Sequence, residues 1–488
     1  MLTFVGNVAQ ATATSAVTEQ TGHAMSGTTS GHTPARRPGD RPRPSPVQLR
    51  RAVLSSYLGS VIEYYDFLLY ATASALVFNK VFFSSLDPLA GTVASLGTFT
   101  TGYLARPLGG IVFGHFGDRL GRKRMLVVTM VLMGVASTLI GLLPTYDHIG
   151  VWAPILLVLL RVLQGVAVGG EWGGAVLMSA EHATSRRGLW ASFTNAGAPS
   201  GMVVSTLVLT LSASVTTEDQ FLSWGWRVPF LLSVLLLALG LFVRLKVEET
   251  PVFAEAEAGK SRAAEAPPLL EVLRRHPRNL LLAVGVGFGA FVAQATLTTF
   301  LISYAVDAGF PRQTVLNALT LSSALGAVAI VGYSALSDRI GRRPVVLAGA
   351  VGMAVVAFPL FPMVDSGSAV LLTLAVVLGQ AVMHPAMFGP LAALYSEMFG
   401  TRTRYTGASL GYQISATGAG FAPVLFASMT GASAGGTLGV SVLIALSCVV
   451  TVLCVLVTKE SHRADLAEEP EESTAALGRS TAAEGAAG

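Results

Sequence analysis

Twelve runs of about twenty mostly apolar residues follow one another along the chain and constrain its fold more than any other feature. A helix needs roughly 20 apolar residues to cross a hydrocarbon core about 30 Å thick. The chain is also only 12% charged, whereas a water-soluble domain carries about 25% charged residues. The sequence therefore predicts an all-α membrane protein with twelve transmembrane helices. The expected spans are 53–77, 92–113, 125–143, 152–178, 189–213, 226–243, 279–304, 314–336, 345–363, 369–394, 407–430 and 437–458.

The twelve runs fall into two sets of six. A charged, proline-containing stretch, residues 244–278, separates the sets and is expected to be a cytoplasmic linker with one short surface helix. This division predicts an N-terminal six-helix bundle at 51–243 and a C-terminal bundle at 279–458. The polar flanks, 1–50 and 459–488, are predicted to be disordered cytoplasmic tails because they hold too little apolar surface to form a core.

Basic residues mark one side of the predicted membrane domain. Lys and Arg accumulate on cytoplasmic loops of membrane proteins, and here they concentrate on alternate loops, beginning with the loop after the second span. We therefore expect the chain in a bacterial inner membrane with both termini cytoplasmic.

The two halves repeat each other in sequence. The segment from Gly117 to Lys123 matches the segment from Ser337 to Arg343, with an offset of 220 residues between Asp118 and Asp338. Two parallel six-helix repeats can face each other across an axis along the membrane normal and rock about a central site. The repeat therefore favours an alternating-access carrier.

Two motifs carry a family resemblance. The run Gly-His-Phe-Gly-Asp-Arg-Leu-Gly-Arg-Lys-Arg, from Gly114 to Arg124, resembles the loop signature of the major facilitator superfamily. The run Arg-Val-Leu-Gln-Gly, beginning at Arg161, resembles a motif in the fourth span of its proton-coupled members. The chain is therefore identified as a member of this superfamily.

Further stretches are similar to the metabolite:proton symporter family, and Gly169–Gly174 is most similar to its shikimate-transporter branch. The resemblance implies a symporter that imports a small polar or anionic metabolite, such as shikimate, together with protons. It implies membrane lipid as the surroundings, a monomer, and no cofactor, metal or nucleic acid. The other matching stretches are Gly59–Tyr70, Arg106–Gly110 and Arg404–Ser409.

Ionisable residues inside the spans are the main candidates for proton coupling, because a charge at the centre of a membrane helix costs about 2.5–3.5 kcal/mol. Asp66 and Arg161 lie at depths that agree within about one helical turn. We hypothesise that Asp66 binds the coupling proton and that Arg161 pairs with its carboxylate. Glu63 lies on the same helix face as Asp66 and is expected to share that proton. The alternative is that these charges only neutralise one another.

A second group of residues is predicted to contact the substrate. Arg106 and Glu171 lie at similar depths, so they could pair, bind an anionic substrate or point towards the surface. Trp172 could stack on a substrate or simply pack. Neutral polar side chains could line the cavity or join helices as hydrogen-bonding glue. These neutral candidates are Gln164, Gln294, Gln380, His384, Tyr412 and Gln413.

The two repeated loops are predicted to act as gates. In the superfamily that the chain resembles, such a loop latches the halves together when the carrier faces outward. The alternative is a purely topological role as positive-inside anchors. The residues concerned are Asp118, Arg119 and Arg122 in one loop and Asp338, Arg339 and Arg342 in the other.

Two other functions remain open at this point. Gly197–Gly201 partly resembles an antiporter motif, which keeps a proton-driven exporter as an alternative, and a membrane sensor on the same fold is another. An enzyme is disfavoured because no nucleophile triad, metal cluster or phosphate loop is recognisable. The Gly-x-Ser-x-Gly run at Gly407–Gly411 starts an apolar helix, where it predicts close helix packing.

Overall fold

The computed structural model describes residues 46–86, 88–183, 185–247, 268–432 and 436–462. The regular structure within these ranges is helical, with no strand, and short turns and loops join the helices. Most of both predicted tails, and most of the predicted linker, lie outside the described residues.

Twelve long helices, numbered α1 to α12, account for the twelve predicted spans within the described residues. The first six are α1 (Pro46–Ala73), α2 (Pro88–Leu120), α3 (Arg122–Leu142), α4 (Trp152–His182), α5 (Arg187–Ser214) and α6 (Arg227–Leu245). The second six are α7 (Pro277–Ala295, continued by Leu301–Asp307), α8 (Arg312–Ile340), α9 (Arg342–Asp365), α10 (Ala369–Val377, continued by His384–Phe388 and Leu391–Glu397), α11 (Arg404–Ala432) and α12 (Gly436–Val457).

Wide π-helical turns interrupt three of these helices in the described part of the chain. Ser74–Phe78 prolongs α1 to Val81, and Thr296–Phe300 joins the two parts of α7. These two turns occupy equivalent places in the two repeats. Leu378–Met383 interrupts α10 just before His384 and Pro385.

Nine of the twelve helices contain, within the described residues, a stretch long and apolar enough to cross a membrane. They are α3 to α10 and α12. Their outer faces carry large apolar side chains in the open, such as Leu235 at 66% exposure and Leu281 at 71%. Apolar surface of this extent is suited to lipid rather than to water. These features confirm the predicted all-α membrane fold.

Single glycines make both of the repeated loops. Gly121 alone separates α2 from α3, and Gly341 alone separates α8 from α9. Their φ angles are 102° and 104°, a backbone conformation that is essentially restricted to glycine. The repeated sequence therefore produces the same tight turn in both halves.

The packing of α2 on α4 depends on glycines that let the two backbones approach. A Cβ atom built on Gly109 would lie 2.8 Å from the carbonyl carbon of Val166 and 2.9 Å from the Cα of Gly169. Small residues at helix contacts play this role in membrane proteins, where close approach maximises van der Waals contact.

We expect Gly109→Ala to destabilise the folded protein by about 1–3 kcal/mol, because the added methyl group meets backbone atoms that cannot move aside. Gly97→Ala is the matched control on the same helix, since a Cβ there has no atom within 4 Å. Thermal unfolding of the purified protein in detergent measures both. A melting temperature for Gly109→Ala equal to that of Gly97→Ala would contradict the packing argument.

Two predicted boundaries need correction. The linker was expected to begin at 244, but Arg244 lies inside α6 and is buried. The C-terminal tail was expected from 459, but Glu460 accepts hydrogen bonds from the backbone N–H groups of Arg342 (2.9 Å) and Arg343 (3.0 Å) at the start of α9. Burial opposes its ionisation, yet these N–H donors hold the pKa of Glu460 below its usual range.

The predicted surface helix of the linker is present at Pro268–Arg275. Its Val272 is buried, while Leu270 and Leu273 are exposed. Glu271 on this helix pairs with Arg402 at 3.0 Å. The helix therefore lies against the second half near the start of α11.

One apolar core extends across both halves. It contains Trp172 and Val176 of α4 and Ala191 of α5 together with many residues of α7 to α12. A separate aromatic core, including Phe78 and Trp226, belongs to the first half alone. The halves therefore share packed side chains along α4 and α5.

Candidate functional site

Asp118, in the last turn of α2 of the first half, caps a helix of the second half. Asp118 accepts hydrogen bonds from the backbone N–H groups of Tyr405 (3.2 Å) and Thr406 (2.9 Å). It also accepts one from the hydroxyl of Thr406 at 2.8 Å. The first N–H groups of a helix have no partner within the helix, and the helix dipole favours an anion there.

The loop aspartate of the second half makes the equivalent contact in return. Asp338 accepts hydrogen bonds from the backbone N–H groups of Gly188 (2.9 Å) and Leu189 (2.8 Å). These residues form the first turn of α5 in the first half. The sequence repeat thus appears in the structure as two reciprocal caps.

Buried ion pairs accompany each cap. Glu181 contacts Arg122 at 3.4 Å and, across the interface, Arg404 at 3.2 Å. In the second half Glu397 contacts Arg342 at 3.2 Å and, across the interface, Arg187 at 3.8 Å. Two equivalent charge clusters therefore join the halves.

We call this end of the molecule, at Gly121 and Gly341, the basic end. The predicted gating residues divide into two groups there. Asp118, Arg122 and Arg342 are buried at the interface, and Asp338 is partly buried. We call the two caps and their ion pairs the latch. Arg119 and Arg339 are exposed, so the structure does not place them in the latch.

Aromatic side chains join the halves nearer the middle of the helices. The hydroxyls of Tyr64 on α1 and Tyr412 on α11 lie 3.0 Å apart. Trp172 on α4 stacks on Tyr412 with ring centroids 3.7 Å apart, and it donates a hydrogen bond to Asn195 at 2.8 Å. Trp172 therefore packs between the halves in this state.

Amide side chains continue the interface. Asn195 donates to the carbonyl of Phe388 in the second half at 2.8 Å. Gln413 donates to the carbonyl of Gly169 in the first half at 3.1 Å, while its Oε1 atom has no hydrogen-bond partner among the described residues. The halves are thus closed against each other from the basic end to this level.

The remaining polar candidates lie in the second half. Gln380 and His384 are buried, and Oε1 of the first and Nε2 of the second have no hydrogen-bond partner among the described residues. The ring of His384 stacks on Phe388. Gln294 is partly exposed. The side-chain contacts given for the described part of the chain link none of these three to the charged residues of the first half.

Asp66 lies within a group of serines. It is fully buried, and the hydroxyl of Ser233 on α6 donates to its Oδ1 atom at 2.5 Å. Ser137 on α3 also lies close enough to interact with the carboxylate. The Oδ2 atom has no hydrogen-bond partner among the described residues.

Arg161 lies within a group of aromatic rings. Its guanidinium carbon is 4.0 Å from the ring centroid of Phe67 and 4.2 Å from that of Tyr70. Its Nη1 atom donates to Oε1 of Gln164 at 3.0 Å. Cation–π contacts of this kind stabilise a desolvated cation by roughly 2 kcal/mol.

The expected direct ion pair between Asp66 and Arg161 is wrong for this state, since the ion pairs of the described residues do not include it. Two intervening side chains connect Arg161 to Asp66. Gln164 accepts from Arg161 and donates to Ser137 at 2.7 Å, and Ser137 adjoins Asp66. Gln164, expected in the substrate cavity, is instead fully buried in this polar chain.

Glu171 makes a different contact from those that were considered for it. Its carboxylate forms a buried ion pair with Arg244 of α6 and accepts a hydrogen bond from Thr129 at 2.7 Å. Arg106, its predicted partner, instead lies 4.8 Å from the ring centroid of Phe67 and 4.9 Å from that of Tyr103.

Glu63 does not pair with Asp66. It is buried, and neither carboxylate oxygen has a hydrogen-bond partner among the described residues. The charged groups that act on it are Glu171, Arg106 and Arg244. The expected carboxyl pair of Glu63 and Asp66 is therefore wrong for this state.

Sequence reasoning missed several residues of the site. Arg244 was assigned to the linker because it follows an apolar run and precedes other charges. Ser137 and Ser233 belong to no motif, and nothing in the sequence distinguishes them from the many other serines in the spans. Glu181 and Glu397 were recognisable as a second repeat, because each lies at the end of the fourth span of its half, but their ion pairs across the interface were not predicted.

Two six-helix halves of one chain, joined by reciprocal caps and with buried charges in the first half, define a membrane transporter rather than an enzyme. The chain belongs to the Major Facilitator Superfamily, whose family model matches residues 57–423. The predicted family resemblance is thereby confirmed.

Curated relatives extend over most of the chain. It is 40% identical over 418 residues to the shikimate transporter of Escherichia coli (strain K12), covering 85% of this chain and 95% of the relative. It is 38% identical over 439 residues to the inner membrane metabolite transport protein YhjE of the same organism, covering 86% and 97%.

A solved structure shares the fold. The proton:xylose symporter XylE, bound to 6-bromo-6-deoxy-D-glucose, matches with a TM-score of 0.69 over 85% of this chain and 96% of that chain. The sequence identity is 18%, so this likeness shows the fold alone.

Proposed function

We propose that the protein is a proton-coupled symporter that imports a small anionic metabolite, such as shikimate or a related organic acid. The similarity to the shikimate transporter of Escherichia coli supports this substrate class. The packing of Gly197 on Ser60 of α1 is compatible with either direction of transport, so the direction of flux decides between this proposal and the exporter alternative.

One observation carries the proposal: two buried arginines in the first half have no carboxylate partner. The ion pairs of the described residues include neither Arg106 nor Arg161, and each leaves at least one guanidinium nitrogen without a hydrogen bond. Guanidinium groups at this depth are costly unless an anion compensates them. A substrate carboxylate supplies that anion, with bidentate geometry if it reaches the guanidinium edge.

Proton coupling follows from the polar chain between Arg161 and Asp66. When the substrate carboxylate binds the arginines, its negative charge offsets their positive charge. The arginines then stabilise the ionised form of Asp66 less, so that form becomes less favourable. Asp66 then takes up a proton. Substrate and proton thus bind together, and their joint binding neutralises the charges before the halves rearrange.

The latch at the basic end supports an assignment of the state. The excess of Lys and Arg favours a cytoplasmic location for this end, and the two caps close it. We propose that this is the state closed to the cytoplasm, and that opening of the two caps admits the bound substrate to the cell.

Reconstituted vesicles with an imposed pH gradient test the proposal. We expect labelled shikimate to accumulate when the outside is acidic, because symport moves substrate and proton in the same direction. Accumulation only when the inside is acidic would instead identify an antiporter. No transport in either case, with related organic acids also tested, would overturn the proposed substrate class.

Arg106→Gln is expected to weaken transport of shikimate by roughly ten- to a hundredfold, because a hydrogen bond to a charged group contributes about 1.5–3 kcal/mol. Arg119→Gln is the matched control, since Arg119 is exposed at the basic end. The concentration of shikimate that half-saturates uptake is the measurement. Equal values for both variants would contradict a role of Arg106 in binding the substrate.

A further inference from the structure

A second group of ionisable residues in the first half is not used by the mechanism above. Glu63 on α1, Glu171 on α4 and Arg244 on α6 lie together, about one helical turn from Asp66 along α1. They sit on three different helices of the same bundle. Their arrangement is unusual because one cation adjoins two carboxyl groups and contacts only one of them.

Arg244 contacts Glu171 and not Glu63. Its Nη1 atom donates to the carbonyl of Leu126 at 2.8 Å and to Oε2 of Glu171 at 3.1 Å, and its Nη2 atom contacts Oε1 of Glu171. Thr129 also donates to Glu171. Glu171 thus has the hydrogen bonds and the counter-charge of an ionised carboxylate.

Glu63 has neither. It is 4% exposed, and both of its oxygens lack a hydrogen-bond partner among the described residues. An ionised carboxylate buried in this way is very unfavourable, whereas the protonated form removes most of that cost. The pattern therefore separates an ionised Glu171 from a neutral Glu63.

Among the residues that the structure describes, no other charged group contacts Glu63. Arg106 of α2 acts on it from a distance but lies against Phe67 and Tyr103. Helix α3 contributes the uncharged Thr129. The charged residue of α5, Arg187, is at the basic end with Glu397, and Asp66 of α1 faces Ser233.

Glu63 and Glu171 border a common space. A cavity of about 10 Å³ is lined by Glu63, Glu171, Thr129 and Gly59, together with apolar side chains. Its surface is formed by apolar atoms, so the space separates the two side chains without itself supplying a hydrogen-bond partner.

Gly59 leaves the space in which Arg244 can change partner. It lies one turn before Glu63 on the same helix, and a Cβ atom built on it would lie 2.9 Å from the guanidinium carbon of Arg244 and 3.0 Å from Oε1 of Glu171. The guanidinium is therefore already packed against the helix that carries Glu63.

We infer that Glu63 and Glu171 share one resident proton and compete for Arg244. In the present state the proton is on Glu63 and the guanidinium is on Glu171. When Glu63 gives up its proton to Glu171, Arg244 transfers its contacts to the newly ionised Glu63. The proton and the guanidinium exchange places, and the net charge of the three groups stays constant.

The exchange links a proton to the packing of a helix. Arg244 belongs to α6, so its change of partner alters how α6 is held against α1, α3 and α4. The inference deepens the proton coupling proposed above and rests on it. Its test, however, reports on protonation directly and needs no transported substrate.

Infrared spectroscopy of the purified full-length protein in lipid at neutral pH tests the inference, because a protonated carboxyl has a C=O stretching band that a carboxylate lacks. We expect Glu63→Gln to lose a band equivalent to about one protonated carboxyl per chain. We expect Glu171→Gln to lose the same band, because Arg244 is then free to pair with Glu63 and ionise it. Glu63→Asp should shift the band rather than remove it.

Glu218→Gln is the matched control, since Glu218 is exposed and its ion pair in the described part of the chain is with the exposed Lys80; its band should equal that of the wild type. An unchanged band in Glu63→Gln would overturn the resident proton. A band lost in Glu63→Gln but retained in Glu171→Gln would overturn the competition for Arg244. Failure of shikimate transport in the vesicle assay would leave the spectra unaffected, so it would count against the substrate and not against this site.

Discussion

Asp66→Asn is expected to abolish the accumulation of substrate against a gradient while leaving exchange of substrate across the membrane intact. Asparagine keeps the shape and can still accept from Ser233, but it cannot carry the proton. One pH unit is worth about 1.4 kcal/mol per proton, so a wild-type symporter that moves one proton should accumulate substrate about tenfold for each unit. The variant should only equilibrate it.

Two measurements on the same vesicles separate coupling from folding. Uptake under a pH gradient reports coupling, and exchange of labelled for unlabelled shikimate without a gradient reports binding and rocking of the halves. Ser233→Ala is the matched control, because it removes the 2.5 Å hydrogen bond but keeps the carboxyl group. Accumulation by Asp66→Asn at the level of Ser233→Ala would show that the proton is carried elsewhere.

Asp118→Asn is expected to shift the molecule strongly towards the state that is open at the basic end. The change removes the anion from the start of α11 and leaves one of two buried backbone N–H groups without an acceptor. The two effects together cost about 3 kcal/mol, or roughly a hundredfold in the ratio of closed to open molecules. Asp338→Asn should act similarly, because it caps α5 in the same way.

Distances between spin labels at Leu120 and Ile340 measure this shift. These exposed residues end α2 and α8, one in each half, so their separation should increase when the latch opens. Both native cysteines would be replaced by alanine first. Asp147→Asn, an exposed change outside the latch, is the control, and an unchanged distance distribution in both latch variants would refute the role of the caps.

The twelve helices were predictable because each is encoded locally, by a run of apolar residues long enough to cross a membrane. The reciprocal caps were predictable in outline for a related reason. The same short motif occurs at the end of the second helix of each half, so Asp118 and Asp338 are expected to have equivalent surroundings. The motif does not indicate which helix each aspartate caps.

The partners of the buried charges could not be predicted in this way. The depth of Asp66 and Arg161 follows from the rise per residue along their helices, but depth does not say which neighbouring helix each side chain faces. Rotation about the helix axis depends on packing, and here it directs Asp66 to Ser233 and Arg161 to a group of aromatic rings. Arg244 escaped notice because a basic residue at the end of a span usually belongs to the adjacent loop.

The π-helical turns in α1 and α7 have a consequence for how side chains are arranged along these helices. Such a turn closes its hydrogen bond over one more residue than an α-helical turn does. Each of the two helices therefore contains a surplus residue, and the residues beyond Phe78 and Phe300 are rotated by about 100° from the directions that an uninterrupted helix would give them. Deleting one residue from either turn should restore regular winding and turn the outer end of that helix towards different neighbours.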